Sequence, residues 1–189
     1  MELEEVCMKL QKYLTMEKLE EVVISLLKPE RVKHVLGCRD TAVALAKCWG
    51  ADETDAARAG ILHDITKAID GPLQLTLCEA YGKILSDFSR KYPKTLHALT
   101  GSLVAERIFG ENENVVSAIC HHTTGRADMT MLEKIIYIAD YVERERSGIT
   151  ARRGDENVVN AWGVTKSWPI GTPGAFPVQP VRLSAGKRK

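Results

Sequence analysis

Residues 60–70 read GILHDITKAID, with His63 and Asp64 side by side after the aliphatic pair Ile61–Leu62. Two strongly hydrated side chains at the end of an apolar run cost free energy unless something binds them. Just upstream, Asp52 is an N-cap candidate with Asp55 three residues on, and DETDAARAGILHDITKAI carries helical spacing behind it. Before that, Pro29 opens a helix whose pattern runs through Val43, Leu45 and Ala46 to a stop at Gly50. Leu3, Val6, Leu10, Leu14, Leu19, Val22, Val23 and Leu26 give residues 2–27 the same periodicity. Downstream, Gly71-Pro72 reads as a turn with a short helix through Ala80. Pro93 reads as a loop before helical spacing resumes at Leu99, Leu103 and Ile108. ENENVVSAICHH and MTMLEKIIYIADYVE read as two more helices. No pair of alternating runs joined by a hairpin signal occurs before residue 143, so residues 1–143 are read as one all-α domain.

The composition changes after Glu143. Four of the seven prolines (Pro169, Pro173, Pro177, Pro180) and two of the three tryptophans (Trp162, Trp168) fall in residues 144–189. Proline every three or four residues excludes a regular helix there, so this Pro/Gly-rich stretch is expected to be an irregular, extended or disordered tail. The tail is basic, with nine Lys/Arg against three Asp/Glu. The whole chain of 189 residues carries only +1, with 44% hydrophobic and 27% charged residues. Those totals fit a globular protein with a real core and point to neither a nucleic-acid nor a membrane-surface partner. Cys7, Cys38, Cys48, Cys78 and Cys120 are odd in number and lack a CxxC pair. Reduced thiols in a cytoplasm are therefore expected rather than a disulfide framework. MELEEVCMKL is unlike a signal peptide, and no apolar run approaches the ~20 residues of a membrane span.

The histidines carry the chemistry. A lone histidine on an apolar face is more often a satisfied core residue than a ligand. Here His34, His63, His97 and His122 each lie on a different amphipathic segment beside apolar neighbours, and Asp140 lies within IIYIADYV. A buried carboxylate needs a cation or several donors to stay ionised. Imidazole and carboxylate are ligands for Fe, Mn, Zn or Co, and one carboxylate can bridge two ions. Lys67, one helical turn after His63, is placed to meet a phosphate. Arg31 and Arg39 flank His34, Arg31 being the better placed, and Thr123, Thr124 and Gly125 offer hydroxyls and a close backbone approach. No GxxxxGK[ST] or GxGxxG element occurs, so a nucleotide would have to be held by this histidine-rich pocket.

The order of these words resembles the HD superfamily of metal-dependent phosphohydrolases. HxxG at His34, GxLHDxxK at His63, LHA at His97 and HTTG at His122, followed by ADY at Asp140, look like the bacterial HD-domain symmetrical diadenosine tetraphosphate hydrolases over roughly residues 28–143. The resemblance implies an all-α HD-domain helical bundle with a buried iron centre, of one or two ions, or with Mn²⁺ or another divalent metal. It implies cleavage of diadenosine tetraphosphate to two ADP. It also implies His34, His63, Asp64 and Asp140 as core metal ligands, with His97 and His122 completing a second metal position or touching phosphate. Asp64, His97 and His122 become the catalytic candidates; Arg31, Lys67, His97, His122 and Thr124 become the nucleotide-binding ones. His121 stands where the family usually has another residue and is read as a neighbour. A dinucleoside polyphosphate or ADP is the expected partner, with no nucleic acid, no membrane and a possible homodimer.

The chain departs from that pattern after ADY. The family continues with an acidic-Pro-Asn-Arg motif and closing helices, whereas this chain reads VERERSGITARRGDENVVNAWG. Two alternatives follow: an HD phosphohydrolase acting on another nucleotide, or a catalytically impaired metal- and nucleotide-binding protein.

Overall fold

Thr15 starts the first described helix by accepting a hydrogen bond on Oγ1 from the Lys18 amide at 3.4 Å. A computed structural model of the chain describes residues 14–146, with side chains through residue 143. Helix α1 spans Met16–Leu26, so Leu14 precedes it, and residues 1–13 of the expected first helix lie outside the described residues. Helix α2 spans Pro29–Trp49, with proline in its first turn and Gly50 closing it at φ 70°. Helix α3 spans Glu53–Leu62, capped by the Asp52 carboxylate, which accepts from the Asp55 amide at 2.8 Å. These starts and stops are the ones their cap residues predict.

The helix expected through Ile69 instead ends at Leu62. Residues 63–69 wind through three successive turns, with the amides of Ile65, Lys67 and Ile69 bonded to the carbonyls of Leu62, Asp64 and Thr66. Asp, Ile and Thr are mediocre helix formers, and here a distant acceptor takes the threonine: Thr66 Oγ1 donates to the His97 carbonyl at 2.8 Å. Gly71-Pro72 is not a free turn but the first turn of α4, Gly71–Ala80, because the Asp70 carboxylate caps the Leu73 amide. The short helix α5, Asp87–Lys91, was not foreseen; Ser86 caps it. A 3₁₀ turn at Pro93–Leu96 leads into α6, His97–Arg107, leaving Ile108 just beyond its end. Helices α7, Glu113–His121, and α8, Met131–Arg146, complete the described set, which contains no strand. The expected tail, residues 144–189, lies outside the described residues apart from the helical backbone of 144–146.

Helix α3 is the hub. It packs on α1, α2, α7 and α8, and α8 in turn lies against α2 and α7. Its Ala56, Ala59, Ile61 and Leu62 are wholly buried against a core that includes Val23, Ala42, Ile119, Ile136 and Ala139. Two glycines set how closely these helices approach. A Cβ at Gly60 would stand 2.8 Å from the Arg39 backbone Cα, so α2 and α3 touch backbone to backbone. A Cβ at Gly37 would overlap the buried Glu143 carboxylate, which accepts from Thr41 Oγ1 at 3.2 Å. Gly37 follows His34 by one turn of α2, and Glu143 follows Asp140 by one turn of α8. The glycine contact therefore fixes the register in which His34 meets Asp140. A smaller core of Cys78, Leu85 and Leu96 supports α4 and the 3₁₀ turn.

Candidate metal centre

Five elements deliver six polar side chains to one buried point: His34 from α2, His63 and Asp64 from the end of α3, His97 at the start of α6, His122 after α7, and Asp140 from α8. None exceeds 3% exposure, which is what makes their chemistry informative. His34 Nε2 lies 3.2 Å from Asp140 Oδ1 and 3.3 Å from His63 Nε2. His63 Nε2 lies 3.7 Å from both Asp140 Oδ1 and Asp64 Oδ2, and His34 Nε2 lies 3.8 Å from Asp64 Oδ2. Donors bound at about 2.0–2.2 Å around one cation stand about 3.0–3.5 Å apart, depending on coordination number. Two of the five separations fall in that range and the other three exceed it by 0.2–0.3 Å, so an ion shared by these atoms would draw the donors slightly together. Two imidazole nitrogens and two carboxylate oxygens suit Fe, Mn, Co or Zn, so these residues fit a transition metal.

The backbone prepares the histidines for this. His63, His97 and His122 each close a helical turn, with Nδ1 on the carbonyl three residues back: Gly60 at 2.8 Å, Lys94 at 3.0 Å and Ile119 at 2.7 Å. A carbonyl only accepts, so Nδ1 carries the proton and Nε2 presents its lone pair to the site. Burial pushes His63 down to about 3, with His122 and His34 adding to the shift and Asp64 opposing it. Burial and the Lys67 ammonium push His97 down to about 3 as well. Both imidazoles are neutral at pH 7. Burial would raise the Asp64 carboxyl, but His63, His122 and Lys67 outweigh it and hold the group well below the usual carboxylate range.

Asp64 has two faces. Oδ2 faces His34 and His63 and accepts from Arg31 Nη1 at 3.0 Å. Oδ1 faces Lys67 Nζ, His97 Nε2 and His122 Nε2 at 3.4, 3.5 and 3.6 Å. Asp64, His97 and His122 thus form a second triad of potential ligands beside the first. Thr123 Oγ1 lies 3.2 Å from His97 Nε2 and 3.1 Å from His122 Nε2. Thr124 is exposed and donates to the Gly125 carbonyl, so of the two threonines Thr123 touches the histidines. Arg39 pairs with Asp40 and Glu20, away from the cluster. His121 turns to the Ser117 carbonyl and Glu133 and stays a neighbour.

Sequence reasoning missed two supports. Thr66 pins the His97 carbonyl and stands 2.9 Å from Thr100 Oγ1, and only a long-range contact reveals it. Glu133, wholly buried, binds Ser117, Arg126 and the Thr130 amide and so closes the loop that begins at His122. A glutamate inside the apolar pattern MLEKIIYI was the available signal.

The HD domain family model matches residues 31–145. The chain is 40% identical over 129 residues to the symmetrical bis(5'-nucleosyl)-tetraphosphatase of Halalkalibacterium halodurans, covering 65% of this chain and 68% of that protein. It is 36% identical over 122 residues to the Bacillus subtilis protein of the same name, covering 64% of this chain and 65% of the relative. A crystal structure from Clostridium acetobutylicum, described as a "predicted HD superfamily hydrolase involved in NAD metabolism", superposes with a TM-score of 0.68 at 36% identity. That alignment covers 78% of this chain and 76% of the other. Matched by the family model over residues 31–145, by relatives at 36–40% identity and by a solved scaffold, the chain belongs to the HD-domain family of metal-dependent hydrolases.

Proposed function

We infer that this protein hydrolyses diadenosine tetraphosphate symmetrically, water entering at the central anhydride and two ADP leaving. The observation that carries the reading is the convergence of His34, His63, Asp64 and Asp140 in a chain 40% identical to a symmetrical tetraphosphatase. The proposed ion is iron, with Mn²⁺ as the alternative; the mixed nitrogen and oxygen donor set supports either. When bound, such an ion supplies a Lewis acid and makes water a nucleophile at neutral pH.

The chain's own residues supply the rest. His34, His63, Asp64 and Asp140 hold the ion. Arg31 and Lys67, on the two faces of Asp64, offer fixed positive charge to a polyphosphate. Neutral His97 accepts from Lys67 Nζ at 2.7 Å and so orients the ammonium. His122 and the hydroxyls of Thr123 and Thr124 complete the proposed nucleotide contacts, with Asp64, His97 and His122 nearest the reacting phosphates. Cys48, Cys78 and Cys120 are free thiols among the described residues, which supports a reducing, cytoplasmic location. No described helix is long and apolar enough to cross a membrane.

Incubation of the purified protein with diadenosine tetraphosphate and Fe²⁺ or Mn²⁺, with products separated by chromatography, tests the reading. ADP is the expected sole nucleotide product. AMP together with ATP overturns symmetric cleavage. The description of the Clostridium acetobutylicum neighbour favours a second reading, hydrolysis of another nucleotide. Faster turnover of mononucleotides or of NAD across a substrate panel would select it.

A further inference from the structure

The chain between α4 and α6 turns apolar side chains outward. In the linking run 83–86, Leu85 is buried with Cys78 and Leu96, while its neighbour Ile84 is 99% exposed. Helix α5 buries none of its residues. Its Phe88 is 64% exposed and Tyr92, just past its end, 47%, with the two ring centroids 4.9 Å apart. Lys91 Nζ stands 5.6 Å from the Tyr92 ring centroid. The start of α4 abuts the 3₁₀ turn, since a Cβ at Gly71 would come within 2.7 Å of Pro93 Cγ, and Leu73, two residues on, is exposed too. Residues 81–94 carry four Lys/Arg against one Asp, whereas the rest of residues 1–143 carries thirteen against twenty-one Asp/Glu. The chain total of +1 averages this contrast away. We propose that this face, centred on Ile84, Phe88 and Tyr92, docks on an anionic lipid surface.

Charge and side-chain type together select the occupant. Arg90 is met by Glu79 at 3.3 Å, which leaves Lys83, Lys91 and Lys94 against Asp87. A second copy seated on the same patch by two-fold symmetry would bring these lysines face to face, and like charges across an interface cost affinity. A single-stranded nucleic acid suits lysines and rings but gives Ile84 and Leu73 nothing to be buried in. An anionic bilayer takes every part at once. The aliphatic and aromatic side chains enter the boundary between headgroups and acyl chains, the tyrosine hydroxyl stays at headgroup level, and the lysines meet acidic headgroups. The contact is peripheral, since no described helix is long and apolar enough to cross a membrane. Lipid docking at this face depends on neither the proposed ion nor the proposed substrate.

The test is co-sedimentation of the full chain with vesicles of equal parts phosphatidylglycerol and phosphatidylcholine, and with vesicles of phosphatidylcholine alone. The wild type is expected to pellet with the anionic vesicles only, and less in high salt. Ile84→Ser/Phe88→Ser should lower the bound fraction about tenfold, as should Lys83→Gln/Lys91→Gln/Lys94→Gln. Val22→Ser/Leu26→Ser, which removes exposed apolar side chains from α1, should bind as the wild type does. Wild-type protein that stays in solution with the anionic vesicles overturns the proposal. So does equal pelleting of Ile84→Ser/Phe88→Ser, which would assign binding to another basic stretch such as residues 144–189. Loss of self-association or of oligoadenylate binding in that variant, with vesicle binding unchanged, overturns it in favour of a second copy or RNA. Hydrogen exchange of the wild type needs no variant to fold: anionic vesicles should protect amides within residues 83–92, and protection confined to other segments overturns the proposal.

Discussion

Replacing His63 with alanine removes the Nε2 donor that stands between Asp64, Asp140 and His34 in the proposed site, and measured metal content should fall below stoichiometric. Activity on diadenosine tetraphosphate should drop by on the order of 10³-fold, since a Lewis acid is worth several kcal/mol in such a transition state. The same histidines predict an acid sensitivity whose sign is fixed. Burial lowers His63 and His97 from 6.5 to about 3, so between those limits the unfolded chain binds more protons than the folded one. Metal-free protein should therefore gain stability as pH rises from about 3 to 6.5 and lose it on acidification, by on the order of 1 kcal/mol per histidine per pH unit. Thermal melts of chelator-treated protein from pH 8 down to pH 5 read this directly. At the residue level much was legible, because His34, His63, Asp64 and Asp140 are polar exceptions to apolar patterns. Their partners were not. Thr66 looks like any helix-surface threonine until the His97 carbonyl is brought to it, and the Lys67 contact with His97 is equally invisible in the sequence.

Helices are the next scale up, and their ends were the most readable feature. Asp52, Gly50 and Pro29 act where their chemistry places them. Asp52→Ala should cost about 1 kcal/mol, measured by urea denaturation, because the Asp55 amide loses its acceptor. Glycine within α3 is a stronger constraint. Gly60→Ala forces a methyl group to within 2.8 Å of the Arg39 Cα, and backbone cannot rotate aside as a side chain can. A loss of about 1–3 kcal/mol is expected, together with weaker metal binding, because separating α2 from α3 separates His34 from His63. A Gly60→Ala protein with unchanged melting temperature and metal affinity would contradict the close approach. The turns at 63–69 were illegible for a physical reason. Hydrophobic periodicity reports which face is buried, and Ile65 and Ile69 keep that period whether the backbone winds as helix or as turns.

For the whole molecule, Arg58 is the fastening most exposed to test. Its guanidinium donates through Nε to both Glu111 oxygens, at 3.0 and 2.7 Å, and through Nη1 to the Leu14 carbonyl at 3.2 Å, tying α3 to the loop before α7 and to the start of the described chain. Burial raises the Glu111 carboxyl despite the opposing arginine, so removing the arginine leaves a carboxylate with no compensation. Arg58→Met should cost about 3–5 kcal/mol in chemical denaturation, and adding Glu111→Leu should recover part of it. Equal losses in single and double variants would show that the pair is not coupled.

The proposed donors for the ion are spread from α2 to α8, and that spacing dictates when it can be captured during biosynthesis. A ribosome-bound chain that has not yet released Asp140 has an incomplete ligand set, however well its earlier helices have docked. Cation loading is thus a late event. Nascent chains arrested before Asp140 should retain little metal, and those arrested after α8 has emerged should retain it.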